Sequence, residues 1–167
     1  MSDWSSYRFA VAFTGTRSGM TTAQHVSVGT MLYMLGEKHG KRVRGVHGDC
    51  IGADAAFDAL CAQRGFDRWT FPSNIERYRA HCEKSGAIER GLPADPLRRN
   101  VKIVAAARLL IVASKSDAEE LRSGTWATVR WARKFYRMKG QGKILVVWPS
   151  GFAEYDYPVK VAAKLRT

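Results

Sequence analysis

The sequence predicts an α/β fold in which a doubly wound, mainly parallel five-stranded sheet carries helices on both faces. Short apolar runs alternate along the chain with longer segments of helical periodicity, as expected when helices connect parallel strands. The apolar runs contain few polar positions, which is typical of strands that are covered on both faces. With 167 residues and 46% hydrophobic content, the chain fits one globular domain spanning residues 1–167, with its core at about 9–149.

The first half of the chain contains three strand signals and two helix signals. Phe9 to Phe13 is an apolar run ended by Thr14-Gly15, which is typical of a buried strand that stops at a turn. A helix follows from Thr21 or Thr22 to Lys38, and Gly40 is placed to end it. The periodicity then predicts a strand over 42–47, a helix over 52–64 and a short strand over 67–71.

The second half opens with residues 73–96, which are polar and irregular. A connection of that length usually carries function, so we expect a loop or lid. The pattern then predicts a helix over 97–107, a strand over 109–112, a basic amphipathic helix over 125–139, a strand over 144–148 and a short last helix over 159–165. Right-handed crossovers give the strand order three-two-one-four-five, which places strands one and four side by side.

The composition limits the function classes. The formal net charge of +12 attracts nucleotides, nucleic acid or other polyanions, although a solvated basic surface explains it equally well. The start of the chain lacks the pattern of a signal peptide and no apolar run is long enough to span a bilayer, so we expect a cytoplasmic protein. Cys50, Cys61 and Cys82 lack the spacing of a zinc site or a disulfide framework, which predicts reduced, partly core cysteines and no metal.

Two glycine-centred turns are the clearest functional signal. Gly15-Thr16-Arg17 follows the first strand, and Ser123-Gly124-Thr125 lies after the fourth strand at the start of a helix. Both turns could offer backbone N–H groups to an anion, and Arg17 could fork onto a phosphate. Helix capping and plain turn geometry are the competing explanation for each turn alone. Ligands of doubly wound sheets bind where strands one and four meet, so the pair predicts one phosphate-containing ligand held between the turns.

A third candidate element lies where the second strand meets its helix. This segment contains His47, which could carry a proton, then Gly48, and the carboxylates of Asp49 and Asp54. Asp54 also suits the first turn of a helix, where it would complement the helix dipole. Asp49 is placed to accept ribose hydroxyls, as acidic residues do in dinucleotide sites, whereas a lone histidine such as His47 is more often structural.

These motifs together resemble a known group of proteins. Gly15-Thr16-Arg17, His47-Gly48-Asp49 with Asp54, Arg99-Asn100, and Ser123-Gly124-Thr125 resemble the SLOG superfamily, the Rossmann-like group that includes DNA-processing protein A and the LOG proteins. The match covers about Phe9 to Trp148 and looks closest to the small stand-alone members of bacteria and phages. The resemblance implies a nucleotide-derived ligand and frequently a homo-oligomer. We further expect a role in phage–bacteria defence or counter-defence, with the protein in the host cytoplasm if it is encoded by a phage.

One departure from that family bears on catalysis. Hydrolytic LOG-type members carry two glutamates after the glycine-threonine turn, whereas Ala127 and Thr128 stand at the corresponding positions here. Cleaving an N-glycosidic bond needs a carboxylate, so the residues favour a binding protein with no required cofactor. The catalytic residue of an enzyme is unknown from sequence; Asp49 is the candidate, with Glu119 or Glu120 as substitutes.

Trp126 adjoins the second turn and is the predicted platform for a purine base. On the same helix, Trp131 and Phe135 alternate with basic residues, and their spacing favours core or subunit interface. Three functions stay open: a module that senses or sequesters a nucleotide or ADP-ribose derivative, an N-glycosidic hydrolase acting on a nucleoside phosphate or NAD-like substrate, and a single-stranded-DNA-binding protein.

Overall fold

The computed structural model describes residues 9–156, so the helix predicted over 159–165 lies outside the described residues. One seven-stranded sheet runs in the order β4-β3-β2-β1-β5-β6-β7. The strands are β1 Phe9–Gly15, β2 Val43–His47, β3 Asp67–Thr70, β4 Ile88–Glu89, β5 Leu109–Ala113, β6 Lys143–Val147 and β7 Ala153–Tyr155. All neighbouring pairs are parallel except β6 with β7. The predicted order of the five main strands is confirmed.

Four helices cover the two faces of this sheet: α1 Thr22–His39, α2 Ala53–Gln63, α3 Pro96–Ala105 and α4 Gly124–Lys139. Because side chains alternate along a strand, β1 sends Val11 and Phe13 to the face of α1 and α2, and Ala10 and Ala12 to the face of α3 and α4. Each face buries its own apolar cluster. The helices therefore change faces between β1 and β5, as the doubly wound prediction requires.

Two strands were missing from the prediction, β4 and β7, and both lie at the edges of the sheet. They contain two and three residues, mostly exposed, so neither has the apolar run by which strands are recognised. Residues 73–96 are well anchored, since Asn74 N–H donates to Ala94 O (2.9 Å) and Arg90 N–H donates to Thr70 O (2.8 Å). This segment contains β4 and two short 3₁₀ turns, Glu76–Tyr78 and Cys82–Ser85.

Other features of the fold agree with the sequence. Cys50, Cys61 and Cys82 are free and buried, and Trp131 and Phe135 pack partly buried against the core of the α3 and α4 face. Among residues 9–156, no helix combines the length and the apolar character needed to cross a membrane.

Candidate functional site

A cleft of about 400 Å³ opens at the carboxyl edge of the sheet, where the loops that follow β1 and β5 face each other. Both glycine turns line it. The predicted contact residues that lie on its wall are Gly15, Thr16, Arg17, Gly48, Asp54, Arg99, Asn100, Ser123, Gly124 and Thr125. The fold thus brings together segments that are far apart in sequence, at the position expected for ligands of doubly wound sheets.

The first turn is closed by its own hydrogen bonds. Thr16 Oγ1 accepts from Ser18 N–H (3.2 Å), and Thr16 O accepts from Gly19 N–H (3.1 Å) and from Ala53 N–H at the start of α2 (3.1 Å). The turn does not lead directly into α1, whose N-cap is Thr21, joined to Gln24 in a capping box. The predicted start of this helix at Thr21 or Thr22 is confirmed, and the capping box of Thr21 satisfies the first turn of α1.

The second turn is the N-terminus of α4, as predicted. Ser123 is the N-cap, and its hydroxyl accepts from Trp126 N–H (3.3 Å) while its carbonyl accepts from Ala127 N–H (2.8 Å). Among the described residues, none accepts a hydrogen bond from the N–H groups of Gly124 or Thr125. Two free donors at the positive end of a 16-residue helix form a site suited to an anion.

The glycines of the two turns have different reasons to be glycine. A Cβ on Gly15 would lie 2.6 Å from the Cβ of Ala53, so the packing of β1 against α2 excludes a side chain there. A Cβ on Gly124 would meet nothing within 4 Å, and Gly124 is not among the glycines with positive φ. Neither packing nor backbone conformation requires glycine at 124, which leaves the backbone there open to a ligand.

Arg99 lies at the base of the cleft and is 8% exposed. Its guanidinium donates to the carbonyls of Gly48 and Phe71 and to Cys50 Sγ, with the last two contacts at 3.3 and 3.0 Å. Within residues 9–156 it forms no ion pair, and its Nε is buried without a partner. Its hydrogen-bond acceptors are neutral, although the Asp54 carboxylate is close enough to interact with it electrostatically. An anion in the cleft would give this buried cation a direct partner.

Arg17 is held by an aromatic ring. Its guanidinium carbon lies 3.7 Å from the ring centroid of Tyr78, another residue that lines the cleft. Hydrogen bonding from Arg77, followed by that from Arg17, lowers the pKa of the Tyr78 hydroxyl. Among the described residues Arg17 forms no ion pair with a carboxylate, so its charge is available to a ligand.

Sequence reasoning missed several lining residues. Lys115 and Arg122 are exposed on the wall that follows β5, while Tyr78 and Ile103 come from other loops and helices. The signal for Arg122 was its place directly before Ser123. Lys115 and Arg122, together with Arg17, give the cleft a positively charged wall that suits a phosphate.

Asp54 is the buried carboxylate of the cleft. Its Oδ2 accepts from the N–H groups of Gly48 (3.1 Å) and Cys50 (3.2 Å). Burial raises the pKa of the Asp54 carboxyl, and the nearby His47 and Arg99 side chains oppose that shift. Burial thus favours the protonated form of the Asp54 carboxyl.

We expect Asp54→Asn to raise the melting temperature at neutral pH and to lose this advantage as the pH falls. The pKa of Asp54 is higher in the folded protein than its ordinary value of 3.8. The free energy of unfolding of the wild type therefore falls as the pH rises from 3.8 through the pKa of the folded state. Asparagine does not ionise, so the variant avoids this loss. The amide oxygen can still accept from Gly48 and Cys50. Thermal melts of both proteins from about pH 4 to about pH 8 measure the difference; a difference independent of pH would show that ionisation is not its cause.

His47 is placed outside the cleft wall, in the core. It is 0% exposed, and its Nδ1 accepts from Asp49 N–H (3.1 Å), so Nε2 carries the proton toward Asp58 Oδ1 at 2.8 Å. Both ring nitrogens are occupied. The predicted ligand contact is corrected to a structural role that joins β2 to α2.

Asp49 is also turned away from the cleft. Its carboxylate is fully buried and accepts from Arg79 Nε (3.0 Å) and from Cys82 N–H (2.9 Å). The predicted role in accepting ribose hydroxyls is corrected, because both oxygens of Asp49 serve to tie residues 79–82 to the end of β2. Asp49 is no longer the candidate acid of an enzyme.

Trp126 is the third predicted contact that the structure places elsewhere. It is 2% exposed and packs in the core beneath α4, with its ring 5.9 Å from that of Trp148. The predicted purine platform is corrected, since no face of the ring reaches the cleft. Two aromatic residues in the described part of the chain line the cleft, Tyr78 and the buried Phe13.

The positions that carry glutamates in hydrolytic LOG-type proteins hold no acid here. Thr128 lines the cleft, and its hydroxyl donates to Gly124 O (3.0 Å). The carboxylates on the wall are Asp54 and Glu120, whereas Glu119 pairs with Arg130 and Arg133 on α4.

A second cavity and two clusters of potential metal ligands lie elsewhere in the described residues. A larger cavity of about 550 Å³ lies at the opposite edge of the sheet and borders Phe9, the first described residue; none of the predicted contact residues lines it. Two side-chain groups have the spacing of metal ligands, His47 with Asp58 and Cys82, and Asp49 with Glu83 and Glu89. In both groups an arginine already pairs with a carboxylate, which a cation would have to displace.

Comparison with solved structures identifies the fold. DNA processing protein A from Streptococcus pneumoniae superposes with a TM-score of 0.61 at 19% identity, covering 94% of this chain and 55% of that one. DNA processing protein A from Helicobacter pylori, which binds single-stranded DNA, superposes with a TM-score of 0.55 at 17% identity and covers 83% of this chain and 64% of that one. The structural-genomics target TM1055 superposes with a TM-score of 0.53 at 12% identity and covers 77% of this chain and 70% of that one. The chain has a SLOG-type fold.

The SLOG-type fold confirms the resemblance at the level of architecture. The chain matches no protein-family model and no curated protein, and it spans about 64% and 55% of the two DNA processing protein A chains. Within this fold, the cleft lies at the switch point between β1 and β5.

Proposed function

We propose that the cleft binds a small phosphate-bearing molecule of the nucleotide class, a nucleotide or an ADP-ribose derivative, and holds it without cleaving it. The observation that carries this proposal is Arg99, a buried guanidinium at the base of the cleft with no ion pair among the described residues. Its guanidinium donates to neutral acceptors and its Nε has no partner, so an anionic ligand in the cleft would give this buried cation a direct charged partner.

The phosphate would bind at the wall formed by α4. The N–H groups of Gly124 and Thr125 are free donors at a helix N-terminus, and Arg17, Lys115 and Arg122 surround the same space. Charge-assisted hydrogen bonds of this kind contribute about twice as much as neutral ones. The open backbone at Gly124 allows a phosphate oxygen to approach closely.

The other end of the cleft suits a nucleoside. Tyr78, Pro96 and Ile103 supply apolar and aromatic surface, and Asn100 adds an amide that can donate and accept. A volume of about 400 Å³ is within the usual range for small-molecule sites.

Binding without cleavage is favoured by the residues after the second turn. Thr128 on the cleft wall supplies a hydroxyl that is already bonded to Gly124 O, in place of an acid. Holding a ligand unchanged suits a protein that senses or sequesters a signal.

Mass spectrometry of small molecules released by denaturing the purified protein tests the proposal directly. We expect an intact nucleotide-type compound, or, for a protein purified empty, a thermal shift with ADP-ribose, AMP or NAD that inorganic phosphate alone does not match. Ligand at about 100 times its Kd stabilises by about 2.7 kcal/mol, which raises Tm by roughly 5–10 °C in a chain of this size. The proposal is contradicted if no compound is released and none of these compounds shifts the melting temperature.

A second candidate, an N-glycosidic hydrolase, is favoured by Asp54, because a carboxyl with a raised pKa can donate a proton to a leaving group. Formation of free base and sugar phosphate over many turnovers, and its loss in Asp54→Asn, would establish the hydrolase in place of a binding protein.

A third candidate function, single-stranded DNA binding, follows from the likeness in fold to the Helicobacter pylori protein. It requires oligonucleotide affinity that falls steeply with salt.

A further inference from the structure

Two arginines meet on the ring of Tyr78 at the edge of the cleft. The guanidinium carbon of Arg77 lies 5.1 Å from the ring centroid, and its Nη2 donates to the Tyr78 hydroxyl at 3.2 Å. Arg17 lies over the same ring, with its guanidinium carbon 3.7 Å from the centroid. Arg17 and Tyr78 line the cleft, whereas Arg77 does not. Arg77 therefore stands just outside the cleft, beside a residue of its wall. We call Arg17, Tyr78 and Arg77 the arginine–tyrosine cluster.

Neither arginine of this cluster has a carboxylate partner in the part of the chain that the structure describes. The nearest acid in sequence, Glu76, pairs with His81 instead, at 2.5 Å. Two guanidinium groups on one ring repel each other, and cation–π attraction to the ring offsets that repulsion. An anion placed between Arg17 and Arg77 would be attracted to both, so the cluster suits an anionic group.

The Tyr78 hydroxyl responds to the same two charges. Hydrogen bonding from Arg77, followed by that from Arg17, lowers the pKa of this phenol, because the phenolate is an anion beside two cations. An anionic group of a ligand would be favoured at this place for the same reason.

The backbone holds the arginine–tyrosine cluster in position. The short turn Glu76–Tyr78 is closed by Arg79 N–H, which donates to Glu76 O at 3.0 Å. Tyr78 O accepts from Ile51 N–H at 2.9 Å, which ties the turn to the loop before α2. Since the ring is already fixed, little ordering is needed when an anion binds.

We propose, on the basis of the function proposed above, that the arginine–tyrosine cluster binds a second phosphate and that the ligand of the cleft carries a diphosphate. The first phosphate lies at the N–H groups of Gly124 and Thr125. Adjacent phosphates share a bridging oxygen, so they need cationic positions that adjoin each other. Arg17 joins the two positions, because it lines the cleft and also contacts the Tyr78 ring. A nucleoside monophosphate would leave Arg77 without an anion.

Calorimetric titrations with AMP and ADP, without divalent cations, test the second phosphate position. The wild type should bind ADP about tenfold or more tightly than AMP, since a hydrogen bond to a charged group contributes about that much. Arg77→Ala should lower the affinity for ADP by about tenfold and change the affinity for AMP by less than about twofold. Arg98→Ala is the matched control, because it removes an exposed arginine that does not line the cleft. It should keep the preference for ADP.

Tyr78→Phe supplies a second readout. Its ring can still lie under Arg17, but Arg77 loses the hydroxyl that accepts its hydrogen bond, so the preference for ADP should fall while the affinity for AMP is kept. Equal losses for AMP and ADP in Arg77→Ala, or an ADP preference that survives both variants, would overturn the second phosphate position. Binding of AMP without a preference for ADP would also overturn it and leave the proposed function standing. Binding of neither compound would count against both.

Discussion

Replacing Asp49 with alanine is expected to lower the melting temperature by roughly 2–12 °C. Its buried carboxylate accepts from Arg79 Nε at 3.0 Å and from Cys82 N–H at 2.9 Å. Arg79 keeps its ion pairs with Glu83 and Glu89, so the main cost is the buried Cys82 N–H left without its acceptor, about 1–3 kcal/mol. Each kcal/mol corresponds to about 2–4 °C in a chain of this length. Asp49 also has a φ of +58°, which alanine adopts less readily than aspartate. Thermal unfolding followed by circular dichroism measures the change.

Asp49→Asn separates charge from geometry. Asparagine accepts the left-handed backbone, and its amide oxygen can still take the hydrogen bond from Cys82 N–H, so we expect a smaller loss than with alanine. Segment 79–82 should also become more sensitive to proteolysis in the alanine variant. An Asp49→Ala protein that keeps its Tm yet loses ligand affinity would contradict this picture and restore the carboxylate as a ligand contact.

Arg17→Ala is expected to weaken binding of the phosphate-bearing ligand by roughly 10- to 150-fold while leaving the free protein equally stable. Hydrogen bonds to charged groups contribute about 1.5–3 kcal/mol, and each 1.4 kcal/mol is about tenfold in affinity. Arg17 is exposed and has no ion pair among the described residues, so its removal costs the fold little. Calorimetric titration with the compound identified by mass spectrometry measures the affinity.

Arg98→Ala is the matched control for Arg17. Arg98 is an exposed arginine on α3 that does not line the cleft, so both variants lose one positive charge. Arg17→Lys keeps the charge without the planar fork and should recover only part of the affinity. Equal losses in Arg17→Ala and Arg98→Ala would mean that the net charge, and not a contact in the cleft, attracts the ligand.

The main architecture could be predicted because its signals are local. The five main strands, β1 among them, are largely buried, and the predicted helices that fall within residues 9–156 lie within a few residues of the observed ones. The edge strands β4 and β7 carry no such pattern. Their pairing depends on the neighbours β3 and β6, which local periodicity does not reveal.

The sequence predicts correctly those site residues whose place in the cleft follows from the end of a strand. Gly15 and Gly124 follow strands that end at the same edge, so the topology alone brings them to the cleft. Trp126 was misplaced because a helix turns by about 100° per residue, which directs a side chain two positions after Gly124 to the opposite side. Asp49 was misplaced because its partner Arg79 lies thirty residues later in sequence, and local sequence gives no signal of that pairing.

The assembly of the cleft from distant segments has a consequence for synthesis. Gly15 and Arg17 leave the ribosome early, whereas β5, which pairs with β1, and the donors of Gly124 and Thr125 emerge about a hundred residues later. Until then the edge of β1 lacks its neighbour and the cleft has only one wall. A nascent chain therefore cannot capture the proposed ligand before α4 has been made, and ligand retention would report that the whole sheet has closed.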